Sequence, residues 1–317
     1  MRRRLADLVE QVRLAREAGF STIVAPQHYL AGPLQYLQPL PLLARLAAES
    51  GEMRLGTCIL LLGLLHPLDV AEQVAALDVL AGGGMVLGVG LGYRDEEFDA
   101  FGVPRDQRLR RFVDNLDIVK RLLGGEAVTA ATDRYILREA KLTLLPARRP
   151  PVWIGANSDA AVRRAARLGD AWVLNPHAKL DTLERQMREV YLPARGGLRP
   201  PELPMRREVY VARDRATAIR EAGPWLFPKY QTYVAWGQAT PQDDPLAGEF
   251  DELLRDRFIL GSPAECLDEL ARYEERLGVT ELIVRVQWPG MPQAQSLRAI
   301  EAIGRDLIGR AAARPAR

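Results

Sequence analysis

Histidine is the residue type best suited to move a proton near neutral pH, and the chain contains three. His28 follows the predicted strand 20–25, at a position where an imidazole could bind a cofactor, act as an acid or base, or hydrogen-bond to nearby backbone. His177 also follows a predicted strand and is a candidate for the pocket wall, with a structural role as the alternative. His66 stands at the start of a predicted helix, so we interpret it as structural. His28 is therefore the main candidate for proton transfer.

A second candidate is the glycine-rich segment Gly88-Val89-Gly90-Leu91-Gly92-Tyr93, which follows a predicted strand and precedes a helix. Its spacing misses the dinucleotide fingerprint, which needs the third glycine one position later and an acidic residue about twenty positions further on. Glycines at a strand end let a ligand approach the backbone, and they also permit a tight turn with close helix packing. Both roles are compatible here.

An anion site is predicted where Gly155-Ala156-Asn157-Ser158 joins a predicted strand to the next helix. Backbone N–H groups and the helix dipole converge at such a junction, which suits a phosphate. The alternative is that Ser158 serves only as the N-cap of the helix.

The segment 224–258 breaks the alternation of strands and helices and is too aromatic for a bare linker. Its aromatic residues include Trp225, Phe227, Tyr230, Tyr233 and Trp236. An insertion of this kind at the rim of a pocket would act as a lid that excludes water. A contact between subunits would explain the same aromatic residues.

These candidates lie within a regular alternation of elements. Apolar runs predict seven strands, at 20–25, 53–61, 85–90, 152–155, 171–174, 207–212 and 281–286. Helical periodicity and capping signals predict helices at 5–18, 39–50, 67–80, 109–123, 160–168, 180–190, 263–277 and 293–307. The segment 124–149 has few helix signals, so we interpret it as an excursion from this pattern.

Strands separated by helices cannot pair as hairpins, so right-handed crossovers in a parallel sheet are expected. We predict a (β/α)8 TIM-type barrel that forms one domain over residues 1–317, with a doubly wound open sheet as the rival. Seven strands are one fewer than the eight that close this barrel, and the chain opens on a helix, so the first strand is expected to be missing. In a barrel the active site lies at the carboxyl ends of the strands, which is where the candidates above are placed.

Composition argues against several classes of protein. The 43 basic and 41 acidic residues leave a net charge of +2, which gives no concentrated positive field for a nucleic acid or an anionic membrane. No signal peptide is visible, and the longest apolar run, Thr57–Leu65, is far shorter than the roughly twenty residues of a membrane span. With only Cys58 and Cys266, a disulfide framework is not expected, and a cytoplasmic location is the default.

The sequence contains no metal-ligand spacing, no Walker phosphate loop and no nucleophile elbow. A barrel with an anion site and few strong acids or bases instead indicates a bound cofactor that carries the reactivity.

Read together, the segments resemble the bacterial luciferase-like superfamily of flavin- and deazaflavin-dependent oxidoreductases over nearly the whole chain. The motifs that carry the resemblance are Ala15–Phe20 with Gln27-His28, Leu55–Cys58 with His66-Pro67 and Ala71–Gln73, Leu87–Tyr93 with Glu96–Phe98 and Phe101–Pro104, Pro151–Gly155 with Gly169–Trp172, and Gly261–Pro263. The stretch from Leu87 to Pro104 is the most characteristic of them.

The resemblance implies roles at matching positions. It places His28 near the reactive ring and the substrate, and Cys58-Ile59 against the isoalloxazine face, with a peptide that is cis in some members. It further assigns the cofactor to Thr57, Gly90, Leu91, Gly92, Tyr93, Gly155 and Ala156, and its phosphate to Asn157 and Ser158. His177 and the aromatic residues of 224–258 would then face the substrate.

Many members that use flavin mononucleotide (FMN) carry an arginine where Leu91 stands, so the resemblance leaves the cofactor open. The leading hypothesis is a two-component monooxygenase that takes reduced FMN from a separate flavin reductase and uses O2 to oxygenate a small organic substrate. The alternatives are hydride transfer with an 8-hydroxy-5-deazaflavin (F420), or a flavin-binding barrel without catalysis. A homodimer or larger homo-oligomer is also expected.

Overall fold

The computed structural model of the chain describes residues 2–237, 254 and 256–309. These residues form two compact units. The N-terminal unit is Ser21–Gly155, and the C-terminal unit combines residues 2–20 with the described residues from Ala156 onward.

Four parallel strands form the sheet of the N-terminal unit, and they are neighbours in the order β1 (Thr22–Ala25), β2 (Arg54–Leu61), β3 (Val86–Gly90) and β6 (Val152–Gly155). The helices of this unit are α2 (Pro39–Ser50), α3 (Pro67–Leu80), α4 (Asp95–Ala100) and α5 (Arg108–Leu123), with 3-10 turns at Leu62–Leu64 and Arg105–Gln107. A separate antiparallel hairpin joins β4 (Val128–Ala131) to β5 (Ile136–Ala140). This hairpin is the excursion predicted at 124–149.

Local sequence explains why these elements form. Pro39 and Pro67 are the first residues of α2 and α3, where a missing N–H leaves no intrahelical hydrogen bond unmade. All residues of β3 are buried, as expected for a parallel strand covered on both faces. Glycine is required at position 88, because a Cβ there would lie 1.9 Å from the carbonyl oxygen of Thr57. Strands β2 and β3 therefore approach each other closely at Thr57 and Gly88.

The C-terminal unit contains four further strands, β7 (Ala171–Val173), β8 (Pro204–Val211), β9 (Phe258–Gly261) and β10 (Glu281–Arg285). Strand β8 is central, with β10 and β9 as its parallel neighbours and a parallel bridge from Leu174 to Met205. The helices are α1 (Arg2–Glu17), α6 (Asp159–Leu168), α7 (Leu180–Gln186), α8 (Leu192–Ala194), α9 (Arg215–Ala235), α10 (Pro263–Leu277) and α11 (Gln293–Ile303), with π-helical turns at Met187–Tyr191 and Gly304–Ile308.

Helix α10 shows how local sequence sets both ends of an element. The Ser262 hydroxyl accepts a hydrogen bond from the Glu265 N–H at 3.3 Å, and the Glu265 carboxylate accepts one from the Ser262 N–H at 2.7 Å. This is the capping box that the sequence predicts. At the other end Gly278 adopts a φ of 76°, a left-handed conformation that favours glycine.

The structure contains each of the seven predicted strands and adds an eighth parallel strand, β9. The predicted count of seven was therefore wrong. Strand β9 pairs with β8 through Tyr210 opposite Leu260 and Val211 opposite Gly261. Its four residues are too few to show a period, and they lie at the edge of the segment interpreted as an insertion. The first described element is helix α1, in agreement with the predicted helical start.

The interpretation of 224–258 as an insertion needs a second correction. Residues up to Ala235 belong to helix α9, which begins at Arg215. The helix continues through Pro224 and Pro228, although proline lacks the N–H that an interior helix position donates. The remainder of the predicted insertion, residues 238–253 and 255, lies outside the described residues.

Helix α9 has 21 residues, and four of them are charged: Arg215, Arg220, Glu221 and Lys229. In the described part of the chain, no helix combines the length and the apolar character that spanning a membrane requires.

Candidate active site

His28 lies in the loop that follows β1, as predicted. Its Nδ1 atom is 3.0 Å from Oε1 of Glu97 on helix α4. The same oxygen accepts a hydrogen bond from the backbone N–H of Tyr29 at 2.9 Å. The Glu97 side chain is fully buried, whereas 12% of the His28 side chain is exposed. A carboxylate that accepts from Nδ1 selects the tautomer with the proton on that atom, so Nε2 is the nitrogen suited to exchange a proton.

Arg94 holds the loop that carries His28. Its guanidinium donates to the carbonyl oxygens of Tyr29 at 2.7 Å and Leu30 at 3.2 Å. It also lies 3.7 Å from Oε1 of Glu97, three positions further along the chain. Arg94 is only 5% exposed, so this ion pair is little screened by solvent. The loop and the carboxylate are thus fixed by one buried cation.

Two glutamine amides also hold the same loop. The side-chain oxygen of Gln27 accepts a hydrogen bond from the Leu61 N–H at 2.8 Å, which ties the loop to the end of β2. The Gln27 amide nitrogen donates to the Tyr29 hydroxyl at 2.9 Å and to Gln38 at 3.0 Å. Gln38 in turn donates to the carbonyl oxygen of His28 at 3.1 Å. The backbone on both sides of His28 is therefore anchored.

Two tyrosine rings pack edge-on against His28. The ring centroid of Tyr36 lies 5.2 Å from that of His28, and the centroid of Tyr93 lies 5.9 Å from it. Gly92 turns the chain before Tyr93 with a φ of 81°, a conformation that favours glycine. The structure thus brings together His28 and Tyr93, two residues predicted for one site.

The carboxyl ends of β2, β3 and β6 form a glycine cradle around Ile59. A Cβ at Gly90 would lie 1.9 Å from Cδ1 of Ile59, and one at Gly155 would lie 3.2 Å from it. The Cys58–Ile59 peptide is cis, the feature that the resemblance led us to seek. Cys58 is buried and Ile59 is partly exposed. The two glycines therefore seat the Ile59 side chain against the strand ends, where it presents an apolar surface.

Thr57 and Leu91 are the other predicted site residues of the N-terminal unit. The Thr57 hydroxyl is buried and donates to the carbonyl oxygen of Gly88 at 2.7 Å, so it holds the sheet together. Leu91 follows β3 and is partly exposed. Its side chain offers no charge to a phosphate.

In the C-terminal unit, the predicted phosphate segment leads into helix α6. The carbonyl oxygen of Ala156 accepts a hydrogen bond from the Trp172 indole at 3.0 Å, and that of Asn157 accepts one from the Gln186 amide at 2.8 Å. The Ser158 hydroxyl accepts a hydrogen bond from the backbone of α6 at 3.4 Å. Ser158 therefore acts as the N-cap, the alternative role considered for it.

The aromatic residues predicted as a lid lie on helix α9 or directly after it. Tyr230 and Tyr233 are buried, and their ring centroids lie 5.4 Å and 5.6 Å from that of His177. Trp236 packs against Tyr233 at 5.7 Å, and the Trp225 indole donates to a glutamine of α11 at 3.2 Å. Phe227 is partly buried against the same apolar core. His177 is itself 2% exposed, so it belongs to this core.

A buried ionic cluster beside these rings was not predicted. The Glu208 carboxylate, on β8, accepts hydrogen bonds from the Lys229 ammonium and, at 2.5 Å, from the Trp288 indole. Burial favours the neutral acid, but the charges of Lys229, Arg285 and Arg206 outweigh it and hold the Glu208 pKa at about 2. Burial and the charge of Arg285 lower the Lys229 pKa to about 8, although Glu208 acts against them. We call these five residues the Glu208 cluster.

The sequence profile of the luciferase-like monooxygenase family matches residues 2–281. The chain belongs to this family. The 4-hydroxyprotoasukamycin monooxygenase of Streptomyces nodosus subsp. asukaensis is 30% identical over 276 residues, a match that spans 82% of this chain and 74% of that protein. An F420-dependent glucose-6-phosphate dehydrogenase of Microbacterium testaceum is 27% identical, over 92% of this chain and 90% of that protein.

A solved structure supports the same assignment of fold. The oxygenating constituent of 3,6-diketocamphane monooxygenase from Pseudomonas putida, in complex with FMN, superposes with a TM-score of 0.80. The match is 16% identical and covers 95% of this chain and 92% of that one. The predicted luciferase-like β/α barrel is confirmed, in place of the doubly wound rival. The chain is an oxidoreductase of the luciferase-like family.

Glu97 and Glu208 were not predicted as site residues of this luciferase-like protein, although the sequence contains a signal for each. Glu97 stands three positions after Arg94, inside the most characteristic motif of the resemblance. Glu208 places a charge inside the predicted strand 207–212, where burial demands a partner. Reading each charge within an apolar segment as half of a pair would have singled out Glu208 and Lys229.

Proposed function

We propose that this protein is a two-component monooxygenase that uses reduced FMN and O2 to oxygenate a small organic substrate. The observation that carries the proposal is the pairing of His28 with Glu97, at the same edge of one sheet as the glycine cradle that seats Ile59. The monooxygenase relatives and the fold shared with an FMN complex support it. FMN supplies the electrons that activate O2 when it is bound.

The residues of the N-terminal unit fit a flat, largely apolar ring. Ile59 presents a partly exposed apolar side chain, and the absence of a Cβ at Gly90 and Gly155 lets that side chain lie against the strand ends. Cys58 and Ile59 would hold the ring, while Leu91, Gly92 and Tyr93 would contact the ribityl chain. Asn157 with Ser158 would bind the phosphate through backbone N–H groups, since the Ser158 hydroxyl already caps α6.

In this proposal His28 handles the proton that accompanies oxygen transfer. Its Nε2 atom accepts or delivers that proton, and Glu97 on Nδ1 stabilises the imidazolium that results. Arg94 and Gln27 keep the ring in place through the surrounding backbone. The rings of Tyr36 and Tyr93 cover His28 and limit the access of water to it.

Oxygen uptake with two reduced cofactors tests the choice of chemistry. The purified protein is titrated anaerobically with reduced FMN, air-saturated buffer is added, and O2 consumption is compared with that of free reduced FMN. A monooxygenase should bind reduced FMN saturably and change the rate of O2 consumption. If neither binding nor any effect on O2 consumption is found, the two-component monooxygenase is rejected.

The second candidate function is hydride transfer to or from a deazaflavin of the F420 type. The uncharged Leu91 favours it, because this position lacks the arginine common among FMN members, and so does the F420-dependent relative. A deazaflavin arm of the same titration separates the candidates. Tight binding of the deazaflavin with weak binding of FMN would support this alternative.

Three further predictions accompany the proposal. A separate flavin reductase would supply reduced FMN, the protein would form a homodimer or larger homo-oligomer, and it would act in the cytoplasm. If instead cofactor binds but no substrate class supports turnover, the barrel would be a flavin-binding protein without catalysis.

A further inference from the structure

Helix α5 carries a buried amide on an otherwise apolar face. Asn115 is the polar member of the seven buried residues of this helix, and it is only 1% exposed. A buried polar group lowers stability unless its donors and acceptors find partners. The partners of the Asn115 amide therefore show what this residue contributes.

Both N–H donors and the oxygen of the Asn115 amide are engaged. The Nδ2 atom donates to the carbonyl oxygens of Leu62 at 3.0 Å and Leu65 at 2.9 Å. The Oδ1 atom accepts a hydrogen bond from the Tyr135 hydroxyl at 3.0 Å. A primary amide has two N–H donors, so both are directed at the 3-10 turn that follows β2. The oxygen is directed instead at the hairpin of β4 and β5, whose turn carries Tyr135.

The turn at Leu62–Leu64 is held by a second side chain of the same helix. The Arg111 guanidinium donates to the carbonyl oxygen of Gly63 at 3.0 Å. Arg111 and Asn115 are four positions apart, so they lie on the same face of α5. A Cβ at Gly63 would lie 3.3 Å from the carbonyl oxygen of Arg108, which shows how closely the helix approaches the turn. Side chains of α5 therefore bind three carbonyl groups in and directly after this turn.

The turn is connected to two parts of the candidate active site. Ile59, which lies in the glycine cradle, stands three positions before the turn, and Leu61 stands directly before it. The Leu61 N–H donates to Gln27 at 2.8 Å, and this bond anchors the loop of His28. All of these residues belong to the N-terminal unit. A displacement of the turn would therefore shift the end of β2 together with an anchor of the His28 loop.

We propose that Asn115 is a positioning residue of the active site, which acts through the turn that it holds. By binding two carbonyl groups of this segment, it keeps the end of β2 in the position in which Ile59 packs against the ring of the cofactor. The contact between Ile59 and a cofactor rests on the proposed function, whereas the fixation of the turn does not.

Two substitutions of Asn115 break its bonds to the turn. Asn115→Leu removes them with a side chain of similar size, and Asn115→Asp keeps an acceptor for Tyr135 but has no N–H donors. Tyr135→Phe is the matched control, because it removes one hydrogen bond of the same amide and leaves both bonds to the turn in place. Far-UV circular dichroism establishes that each variant is folded, and Asn115→Asp serves if Asn115→Leu is not.

Hydrogen exchange in the protein without cofactor measures the turn directly. The Leu61 N–H is bonded to Gln27, and the Leu65 N–H is bonded to the carbonyl oxygen of Leu62 at 3.3 Å. In Asn115→Leu, the exchange of these two amides should become at least about tenfold faster, because local opening of the turn exposes them. In Tyr135→Phe it should stay within about twofold of the wild-type rate. Unchanged exchange in the folded Asn115 variants would overturn the proposal.

Anaerobic titration with reduced FMN measures the consequence for the cofactor. Asn115→Leu and Asn115→Asp should each weaken binding at least about tenfold, which corresponds to about 1.4 kcal/mol. Tyr135→Phe should weaken it less than about twofold. Unchanged affinity in the folded Asn115 variants would overturn the proposal. Equal losses in Asn115→Leu and Tyr135→Phe would overturn it as well, because the amide would then contribute only to general stability.

The two measurements also separate this proposal from the proposed function. If the wild type does not bind reduced FMN, the two-component monooxygenase fails, and the exchange rates alone decide whether Asn115 positions the turn. If reduced FMN binds equally well to the wild type and to the folded Asn115 variants, the positioning role fails while the proposed function stands.

Discussion

Glu97 and Glu208 are both buried carboxylates, but they differ in their hydrogen-bond partners and in the cations beside them. Glu97 accepts hydrogen bonds from an imidazole and a backbone N–H, and its neighbouring cation, Arg94, also bonds to the loop backbone. Glu208 is bonded to a buried ammonium and lies among two further cations. The neighbours of the first carboxylate are an imidazole and a guanidinium, and those of the second are an ammonium, whose pKa burial lowers to about 8, and two guanidinium groups.

The stability of a buried carboxylate depends on the charges beside it. Beside Glu97, the Arg94 guanidinium lies 3.7 Å from the carboxylate, so Glu97 has a cationic neighbour besides His28. Beside Glu208, the loss of the carboxylate leaves Lys229 without its direct ionic partner in a medium that solvates ions poorly. We therefore propose that the pair in the N-terminal unit serves proton transfer, whereas the pair in the C-terminal unit contributes to stability.

Removing the imidazole is expected to give the largest effect on activity. His28→Ala should lower turnover about 100- to 10,000-fold, the usual contribution of a positioned acid or base. Binding of the cofactor should change little, because Ile59 and the strand ends remain. Steady-state O2 consumption and a cofactor titration measure the two quantities. His66→Ala is the control. Equal losses of turnover in the two variants would show that His28 has no specific role as an acid or base.

Neutral substitutions of Glu208 and Glu97 are expected to lower the free energy of unfolding by different amounts. Glu208→Gln should lower the free energy of unfolding by about 3–5 kcal/mol, because it leaves Lys229 among arginines with no anion. Lys229→Met should lower the free energy of unfolding by about 1–3 kcal/mol, since cations remain near Glu208. Glu97→Gln should lower it by about 1–3 kcal/mol as well, since the amide at position 97 still accepts a hydrogen bond. Urea denaturation followed by tryptophan fluorescence checks the order. A smaller loss for Glu208→Gln than for Glu97→Gln would contradict the comparison.

Filling the glycine cradle is expected to give the smallest effect. Gly90→Ala places a Cβ 1.9 Å from the end of the Ile59 side chain, which must then move away from the strands. Overpacking of this kind costs about 1–3 kcal/mol of stability, and cofactor affinity should fall with it. Gly32→Ala is the control, since nothing lies within 4 Å of its added Cβ. Unchanged cofactor affinity in Gly90→Ala would show that the glycine cradle does not contribute to cofactor binding.

Local signals account for the parts of the fold that could be predicted. The strand at 152–155 and the helix at 263–277 were predicted to the residue, because prolines, a glycine and a capping box mark their ends. Strand β9 was missed because four residues show no period, and α9 because its aromatic residues were interpreted as part of an insertion. In both cases tertiary contacts stabilise an element that its local sequence does not predict.

The candidate site, like the fold, could be predicted from the sequence only in part. Placement of His28 after a strand end was readable, since the ends of parallel strands meet at one edge. Its bond to Glu97 joins residues 69 positions apart and depends on where helix α4 lies, which no local pattern gives. The Glu208–Lys229 pair likewise requires α9 to pack on β8 in one rotational setting. Charges inside apolar segments indicate that partners exist without saying which.

A double-mutant cycle on turnover tests most directly whether His28 and Glu97 act as one unit. The four proteins are the wild type, His28→Ala, Glu97→Gln and the double variant, all assayed for O2 consumption with reduced FMN. If the carboxylate acts through the imidazole, the double variant should match His28→Ala within about twofold. If the two losses multiply instead, Glu97 acts independently of His28 and the account of the active site is wrong.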